Sequence, residues 1–258
     1  MSMTSNLETQ AVGGRRKSLS LLQPFSWLQR GWDDLWQHPM ASLSYGVIVA
    51  GMGVLLIMMA RHPYFLAAAV SGFMLVGPIL TTGLCEISRR RERGEGADFD
   101  ASLEALTRNR SALVNFATTL LILSGIWFAL SSFMLFQIMG SIAPDYGMTV
   151  WSMWDEMAEM MSVEQLQSYL IVGGSLAVVV FALSVVAVPM IIDRDVSAGF
   201  AMRASVRQTL SHLPTMLIWS ALIVGLVGVG FMTFLVGMVL VFPLLGHATW
   251  HAYHDLES

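Results

Sequence analysis

The chain has 258 residues, of which 55% are hydrophobic and only 12% are charged, and its formal net charge at pH 7 is −4. Because a soluble domain carries about 25% charged residues, half of the usual solubilising charge is missing, which excludes an ordinary soluble globular domain. The single cysteine, Cys85, excludes an intramolecular disulfide and a CxxC metal or redox motif.

The N-terminal segment is polar, and residues 1–20 predict a disordered tail. The first apolar run begins near Met40, which is too late for the hydrophobic region of a cleavable signal peptide. Residues 21–256 are therefore interpreted as a single all-α integral membrane domain.

Uncharged runs long enough to cross roughly 30 Å of hydrocarbon follow in chain order. Four of them are separated by polar or charged segments: residues 40–60, 63–85, 111–143 and 168–192. Only Arg61 and His62 separate the first two, which predicts a tight hairpin with its tip at the membrane surface.

The fifth run, residues 213–246, also carries no charge. As one straight helix it would be about 50 Å long, which is too long for one span and short for two. Gly225, Gly228 and Gly230 lie near its middle, and a glycine cluster can make a turn. We favour two spans, with ends reaching the interface, which gives six transmembrane helices in total.

The basic residues predict the orientation. All Lys and Arg residues except Arg61 lie before the first span, between the second and third, or between the fourth and fifth. The loop 144–167 has no Lys or Arg but is acidic and rich in Met and Trp. The positive-inside rule then places both termini in the cytoplasm and this loop in the periplasm.

An internal repeat supports six spans. In three places an apolar run with a proline leads to a polar residue: residues 74–78 to Glu86, residues 185–189 to Asp193, and residues 239–243 to His247. Any six-span chain carries some prolines, so the repeat depends on a second feature, an amphipathic stretch before each hairpin. Each stretch has one apolar face: Phe25, Leu28, Trp32, Leu35 and Trp36; Phe99, Leu103 and Leu106; Met202, Val206, Leu210 and Leu213. The predicted units are 24–88, 98–192 and 198–254, each an interfacial helix followed by a hairpin.

The hairpin endings carry a family resemblance. Residues 71–80, 86–90 and 193–196, and most specifically the motif of residues 243–253, PLLGHATWHAY, resemble the domain-of-unknown-function family 2189 of bacterial integral membrane proteins. The similarity covers roughly Leu19 to Leu256, and the chain departs from the family at Arg110, where relatives favour proline, and in its Met-rich loop. The resemblance implies a bacterial inner-membrane protein and no particular activity.

Ionisable residues near membrane depth are functional candidates, and here they are Glu86, Asp193, His247 and His251. If the units pack around a pseudo-threefold axis, these residues converge at the cytoplasmic helix ends. His247 and His251 have i,i+4 spacing, which can bind one metal ion with an added carboxylate. The alternative, which we favour, is that these groups end their helices at headgroup level and bond to each other and to the interfacial helices.

The periplasmic loop contains a second candidate, because Met153, Met157 and Met160 share one helical face. Thioethers suit Cu(I). The same residues also suit a helix that lies on the outer leaflet, and this is the interpretation we favour.

Two further patterns concern packing and lipid. Gly46, Gly51, Gly53, Gly173 and Gly174 are interpreted as helix-packing contacts. The run of residues 89–91, three arginines, is interpreted as a cytoplasmic anchor to anionic lipid.

Three function classes remain. The chain has no P-loop, GxSxG or HExxH motif and no nucleic-acid-binding stripe. We therefore favour a non-catalytic accessory, scaffold or assembly subunit without a cofactor, with the lipid bilayer and a membrane-protein partner or a second copy as partners. The alternatives are a transporter or channel for a small solute or lipid, and a metal-binding membrane protein or enzyme.

Overall fold

A computed structural model of the chain describes residues 19–59, 63–139, 152, 155 and 159–257. In these residues the fold is all-helical. The helices are α1 (Gln23–Gln37), α2 (Pro39–Met59), α3 (Pro63–Glu92), α4 (Phe99–Leu103), α5 (Ala105–Arg108), α6 (Arg110–Met139), α7 (Val163–Ser184), α8 (Ala187–Asp193), α9 (Ala198–Ser211), α10 (Leu213–Met232) and α11 (Met238–Glu257). The predicted N-terminal tail, apart from its last two residues, and the tip formed by Arg61 and His62 lie outside the described residues.

Four segments of the described chain are long and apolar enough to cross a membrane: Pro39–Met58, Arg110–Ile138, Val163–Asp193 and Leu213–Met232. Their outer surfaces expose large apolar side chains such as Leu55, Leu121 and Val224, which are 58%, 57% and 72% exposed. Such surfaces suit contact with lipid. The other two predicted spans correspond to α3 and α11, whose C-terminal turns carry charged and histidine residues.

Each apolar helix that follows an amphipathic segment begins at a one-residue hinge. The hinge residues are His38, Asn109 and His212, with φ of −129°, −128° and −121° and ψ of 59°, 58° and 34°. Each hinge carbonyl accepts a 3.0 Å hydrogen bond from the amide four residues later. The second hinge has this geometry although Arg110 stands where a proline follows the first.

The amphipathic segments are not all single helices. The second is two short helices, α4 and α5, which meet at Glu104. The third, α9, is a continuous helix that begins at Ser197, whose hydroxyl accepts from the amide of Phe200. In the first segment, Trp27 and Leu35 face the protein, whereas Phe25, Trp32 and Trp36 are exposed.

The helices of the three predicted hairpins pack in a cyclic order. Each amphipathic segment packs against the proline-bearing helix of another hairpin: α1 against α11, α4 and α5 against α3, and α9 against α7 and α8. The proline-bearing helices α3, α8 and α11 also contact one another in pairs. The polar ends of these three helices are therefore brought together at one end of the domain.

The three proline-bearing helices, α3, α7–α8 and α11, are called the central helices. Of these three, only α7–α8 is interrupted near its proline. Pro78 and Pro243 lie inside continuous helices, but the helix before Pro189 is interrupted between α7 and α8. A proline clashes with the carbonyl four residues before it and favours such a break. The amide of Val186 donates instead to the Ser205 hydroxyl of α9, at 3.1 Å.

The ambiguous run of residues 213–246 is divided between two helices, α10 and α11, of which α10 is a candidate span, and the turn is not at Gly225, Gly228 and Gly230. It lies at residues 233–237, where Phe234 and Leu235 have φ of 53° and 67°. Such backbone costs roughly 1–2 kcal/mol per non-glycine residue. Leu235 is 1% exposed and packs with Val49, so burial on α2 offsets that cost.

The predicted packing glycines behave in two ways. A Cβ on Gly46 would collide with the backbone of Val239, one on Gly53 would lie 2.6 Å from the Leu235 side chain, and one on Gly173 would lie 2.8 Å from the Trp127 ring. For these three residues the prediction is confirmed. It is wrong for Gly51 and Gly174, where a Cβ would meet nothing within 4 Å.

We expect Gly46→Ala to destabilise the fold, because the Cβ would meet backbone atoms of α11 that cannot rotate away. Overpacking of this kind costs about 1–3 kcal/mol. Gly51→Ala in the same helix is the matched control and should be neutral or slightly stabilising. Thermal unfolding of the purified protein in detergent measures both, and equal midpoints for the two variants would contradict the α2–α11 contact.

Candidate functional site

The C-terminal ends of the three central helices carry a concentration of buried polar side chains. Those with 5% exposure or less include Asp34, Ser42, Glu86, Ser88, Arg89, His247 and His251. Together with the charged groups that contact them, these residues are called the polar layer. The adjoining apolar core includes the fully buried Trp27 and Trp219, whose rings meet edge to face at 5.6 Å.

Glu86 is the centre of the first cluster in the polar layer. Its carboxylate is fully buried and accepts from Arg89 at 2.6 and 2.7 Å, from Arg90 at 2.9 Å, and from Arg108 at 2.7 and 2.8 Å. Burial opposes ionisation of Glu86, but the guanidiniums of Arg89, Arg108 and Arg90 outweigh it and lower the pKa to about 2. Because Arg108 belongs to α5, this cluster fastens the second amphipathic segment to α3.

Asp34 is the centre of the second cluster. It is fully buried on α1 and accepts from the Ser88 hydroxyl and from Arg91, and His251 Nε2 lies 3.1 Å from its Oδ2. His251 Nδ1 also lies 3.7 Å from Glu92. This cluster joins α1, α3 and α11.

His247 extends this cluster towards α2. Its Nδ1 lies 2.8 Å from the Ser88 hydroxyl and its Nε2 lies 2.9 Å from the Ser42 hydroxyl. Because Ser88 donates its proton to Asp34, Ser88 must accept from His247 Nδ1–H, which leaves Nε2 of a neutral ring to accept from Ser42. The result is a directed chain of hydrogen bonds from Ser42 through His247 and Ser88 to Asp34.

Two further carboxylates, Asp255 and Asp193, complete the polar layer. Asp255 accepts from Gln23 at 2.7 Å, from Trp27 at 2.8 Å and from Arg30 at 2.5 Å. Burial opposes ionisation of Asp255, but Arg30, Gln23 and Trp27 outweigh it and lower its pKa. These contacts fasten the start of α1 to the end of α11.

Asp193 is held in the same way. It accepts from the Tyr253 hydroxyl at 3.0 Å and from Arg93 at 3.3 Å, and Arg194 lies 3.9 Å away. Helix α8 ends at Asp193, so the predicted helix stop with a local ion pair is present here.

The four predicted residues lie in one layer, but each has its own partners. Glu86 and Asp193 bind arginines, whereas His247 and His251 are connected only through Ser88 and Asp34. Among the described residues, no three or more His, Cys, Asp or Glu side chains are grouped so that they could hold a metal ion. The arrangement is therefore a set of mutually satisfied charges.

The sequence interpretation missed several residues of the polar layer. Asp34, Ser42, Ser88, Arg108 and Asp255 belong to it. One signal was available for Asp34, because it lies three residues after Gly31 and seven after Trp27, on the face that α1 buries. For Ser42 and Ser88 the sequence held no comparable signal.

The interpretation of residues 89–91 as a lipid anchor was wrong. Arg89 is 5% exposed and binds Glu86, Arg90 binds Glu86 and Glu104, and Arg91 binds Asp34. These arginines hold the protein's own carboxylates. Of the second candidate site, Met153 and Met157 lie outside the described residues, and Met160 is 41% exposed.

Comparison with known proteins identifies the family. The profile of a family described as predicted integral membrane protein (DUF2189) matches residues 65–193, half of the chain, and the chain belongs to that family. No curated protein and no solved structure matches the chain significantly. The matched region contains Glu86 with its three arginines and Asp193.

We expect Asp34→Asn to destabilise the protein by about 3 kcal/mol, because breaking a buried ion pair leaves a charge without its partner. Asp33→Asn removes the same charge from the adjacent, exposed position of α1 and should change stability by less than about 0.5 kcal/mol. Thermal unfolding in detergent compares the two. Similar losses in both variants would contradict the role assigned to Asp34.

Glu86 predicts a pH dependence of stability. Because folding lowers its pKa from 4.5 to about 2, its contribution is complete above pH 4.5 and is lost as the pH falls towards 2. Glu86→Gln should therefore destabilise the protein at pH 7, by about 3 kcal/mol, and its difference from the unsubstituted chain should shrink between pH 4.5 and 2.5.

Glu104→Gln is the control for Glu86→Gln, because Glu104 also binds Arg90 but its side chain is 64% exposed. Exposed ion pairs contribute about 0–1 kcal/mol. A Glu86→Gln difference that stays constant down to pH 2.5 would show that the pairing of Glu86 is not what stabilises this end of α3.

Proposed function

We propose that this protein is a non-catalytic accessory, scaffold or assembly subunit of a complex in the bacterial inner membrane. The observation that carries the proposal is the internal pairing of the polar layer. Glu86 is occupied by three guanidiniums, and Asp34 by Arg91, Ser88 and His251. A catalytic acid, a metal ligand or an ion-pathway carboxylate needs a free lone pair or proton, and these groups are committed to holding helices together.

The proposed topology has six spans in three hairpins that derive from one repeated unit. The shared hinge geometry at His38, Asn109 and His212 supports it, as does the cyclic packing of amphipathic segments on proline-bearing helices. The contact of Asp255 with Gln23 and Arg30 brings the start of α1 and the end of α11 to the same side. The arginines of the polar layer support a cytoplasmic location for that side by the positive-inside rule.

The packing between the central helices favours a scaffold over a transporter. A transporter with repeats around an axis binds its substrate near mid-membrane, between the repeats. Where α3, α8 and α11 meet, Leu84, Cys85 and Ile191 are at most 1% exposed. The Cys85 thiol lies 3.8 Å from the carbonyl of Gly246, and a Cβ on Gly246 would collide with Leu84. These residues lie beside Glu86, Asp193 and His247, so such close approach leaves little room for an aqueous route at the polar end of these helices.

A scaffold needs an outward surface, and the apolar faces of α2, α6 and α10 offer three. They expose Leu55, Leu121 and Val224 respectively. Lipid and a partner's transmembrane helix fit such a face equally well by hydrophobicity alone. A cross-linking experiment therefore identifies which face binds a partner.

We expect the full chain, purified from native membranes in a mild detergent through a C-terminal green fluorescent protein, to retain a stoichiometric membrane-protein partner. The fluorescence also reports whether the C-terminus is cytoplasmic, because this fluorophore matures poorly after export. A photo-crosslinking residue at Leu55, Leu121 or Val224 should link to that partner from one of the three faces, with lipid adducts from the other two.

The controls separate the three function classes. A protein that purifies alone and cross-links only to lipid at all three positions contradicts the scaffold proposal. A self-linked product from one face supports a homo-oligomeric scaffold. Metal analysis of the same preparation tests the remaining class, and a stoichiometric metal ion that is lost in a His247→Ala, His251→Ala variant would replace the scaffold proposal with a metal-binding one.

A further inference from the structure

An apolar groove with two arginines on its border lies along α9. It has a volume of about 710 Å³ and is open on one side. Its apolar lining comes from Leu183 near the end of α7 and from Met202, Val206 and Leu210 of α9, and Arg203 and Arg207 border it. This volume is within the range of about 300–1,000 Å³ typical of small-molecule sites.

The position of α9 places this groove at a membrane surface. Four residues separate the end of the candidate span Val163–Asp193 from α9, and one residue, His212, separates α9 from the candidate span Leu213–Met232. One span therefore leaves the membrane and the next enters it at the two ends of α9. A helix so connected lies at the headgroup level, with its apolar residues next to acyl chains.

The two arginines of α9 differ from those of the other amphipathic segments. Arg30 of α1 is paired with Asp255, and Arg108 of α5 is paired with Glu86. Arg203 and Arg207 are exposed, and no ion pair joins either of them to a carboxylate within the described part of the chain.

The way in which α9 packs explains why Arg203 and Arg207 form no ion pair with the described residues. α9 packs on the broken helix α7–α8 through a neutral contact, in which the Ser205 hydroxyl accepts from the Val186 amide. Its arginines are not needed for docking and stay at the groove. At i,i+4 spacing they lie on one side of the helix, where two guanidiniums can bind one phosphate group.

We propose that this groove binds one anionic phospholipid. Arg203 and Arg207 bind its phosphate and anionic head group, and Leu183, Met202, Val206 and Leu210 contact the upper part of an acyl chain. The charge of the two arginines selects an anionic lipid over a zwitterionic one, and the apolar lining selects a lipid over free phosphate. In this proposal Arg203 and Arg207 bind the anionic lipid, a role that the sequence had suggested for the arginines at residues 89–91. The charges of those three arginines are paired with carboxylates inside the protein.

The test is native mass spectrometry of the full chain in a non-ionic detergent. The detergent solution is titrated separately with dioleoyl phosphatidylglycerol, dioleoyl phosphatidylcholine and inorganic phosphate. We expect one tightly bound phosphatidylglycerol, weaker phosphatidylcholine binding, and no displacement of the lipid by phosphate. Arg203→Gln with Arg207→Gln should weaken phosphatidylglycerol binding about 30-fold, as expected for the removal of two cations near an anionic surface.

The matched control is Arg93→Gln with Arg194→Gln. It removes two arginines of similar exposure, 51% and 47%, which are paired with Asp193 and Glu257. This control should bind phosphatidylglycerol like the unsubstituted chain. Val206→Asn in the groove should weaken binding without a change in charge.

Three outcomes would overturn the proposal: equal affinity for the two lipids, equal loss in the two arginine pairs, or displacement of the lipid by inorganic phosphate. The comparison of the two lipids on the unsubstituted chain needs no variant. It therefore decides the question even if a substitution prevents folding.

Discussion

A carboxylate buried where helices converge must have its charge neutralised, and the architecture of this protein depends on how that is done. Glu86 is fully buried near the end of a central helix. Taking such a charge out of water costs several kcal/mol. The neutralising arginines come from its own helix and from Arg108 of the neighbouring amphipathic segment. Satisfying one buried charge thus fixes the position of a second element.

The same need to neutralise buried carboxylates joins α1 to α11. Asp34 of α1 lies 3.1 Å from His251 of α11, and Asp255 of α11 accepts from Arg30 of α1, so these two carboxylates bind α1 to α11. Apolar contact alone is non-directional and, in lipid, barely favours helix association over contact with acyl chains. The ion pairs and the serine–histidine chain supply direction, because they are satisfied in only one register. Glycines such as Gly46 then let the backbones approach once that register is set.

Much of this could be predicted from the sequence, and the limits have physical causes. Uncharged runs predict spans because the bilayer imposes length and polarity directly. The proline repeat brought Glu86, Asp193, His247 and His251 to one layer, where they lie. Their partners could not be predicted, because a pairing such as Ser42 with His247 depends on the register between helices about 200 residues apart in sequence. The turn at residues 233–237 was predicted at the wrong place for a related reason, since Leu235 is buried against α2 and this contact depends on the packing of helices distant in sequence.

The three amphipathic segments each precede an apolar helix but differ in how their arginines are paired. In the first two, arginines at the interface face carboxylates of the neighbouring central helix, and their charge serves internal closure. In the third, the neighbouring helix is broken before Pro189, and the amide of the buried Val186 donates to the neutral Ser205 hydroxyl. A neutral contact docks the helix without using its cations, so the charge of Arg203 and Arg207 remains directed outwards. The break before Pro189 and the outward charge of Arg203 and Arg207 thus occur at the same corner of the domain, where a neutral contact docks α9.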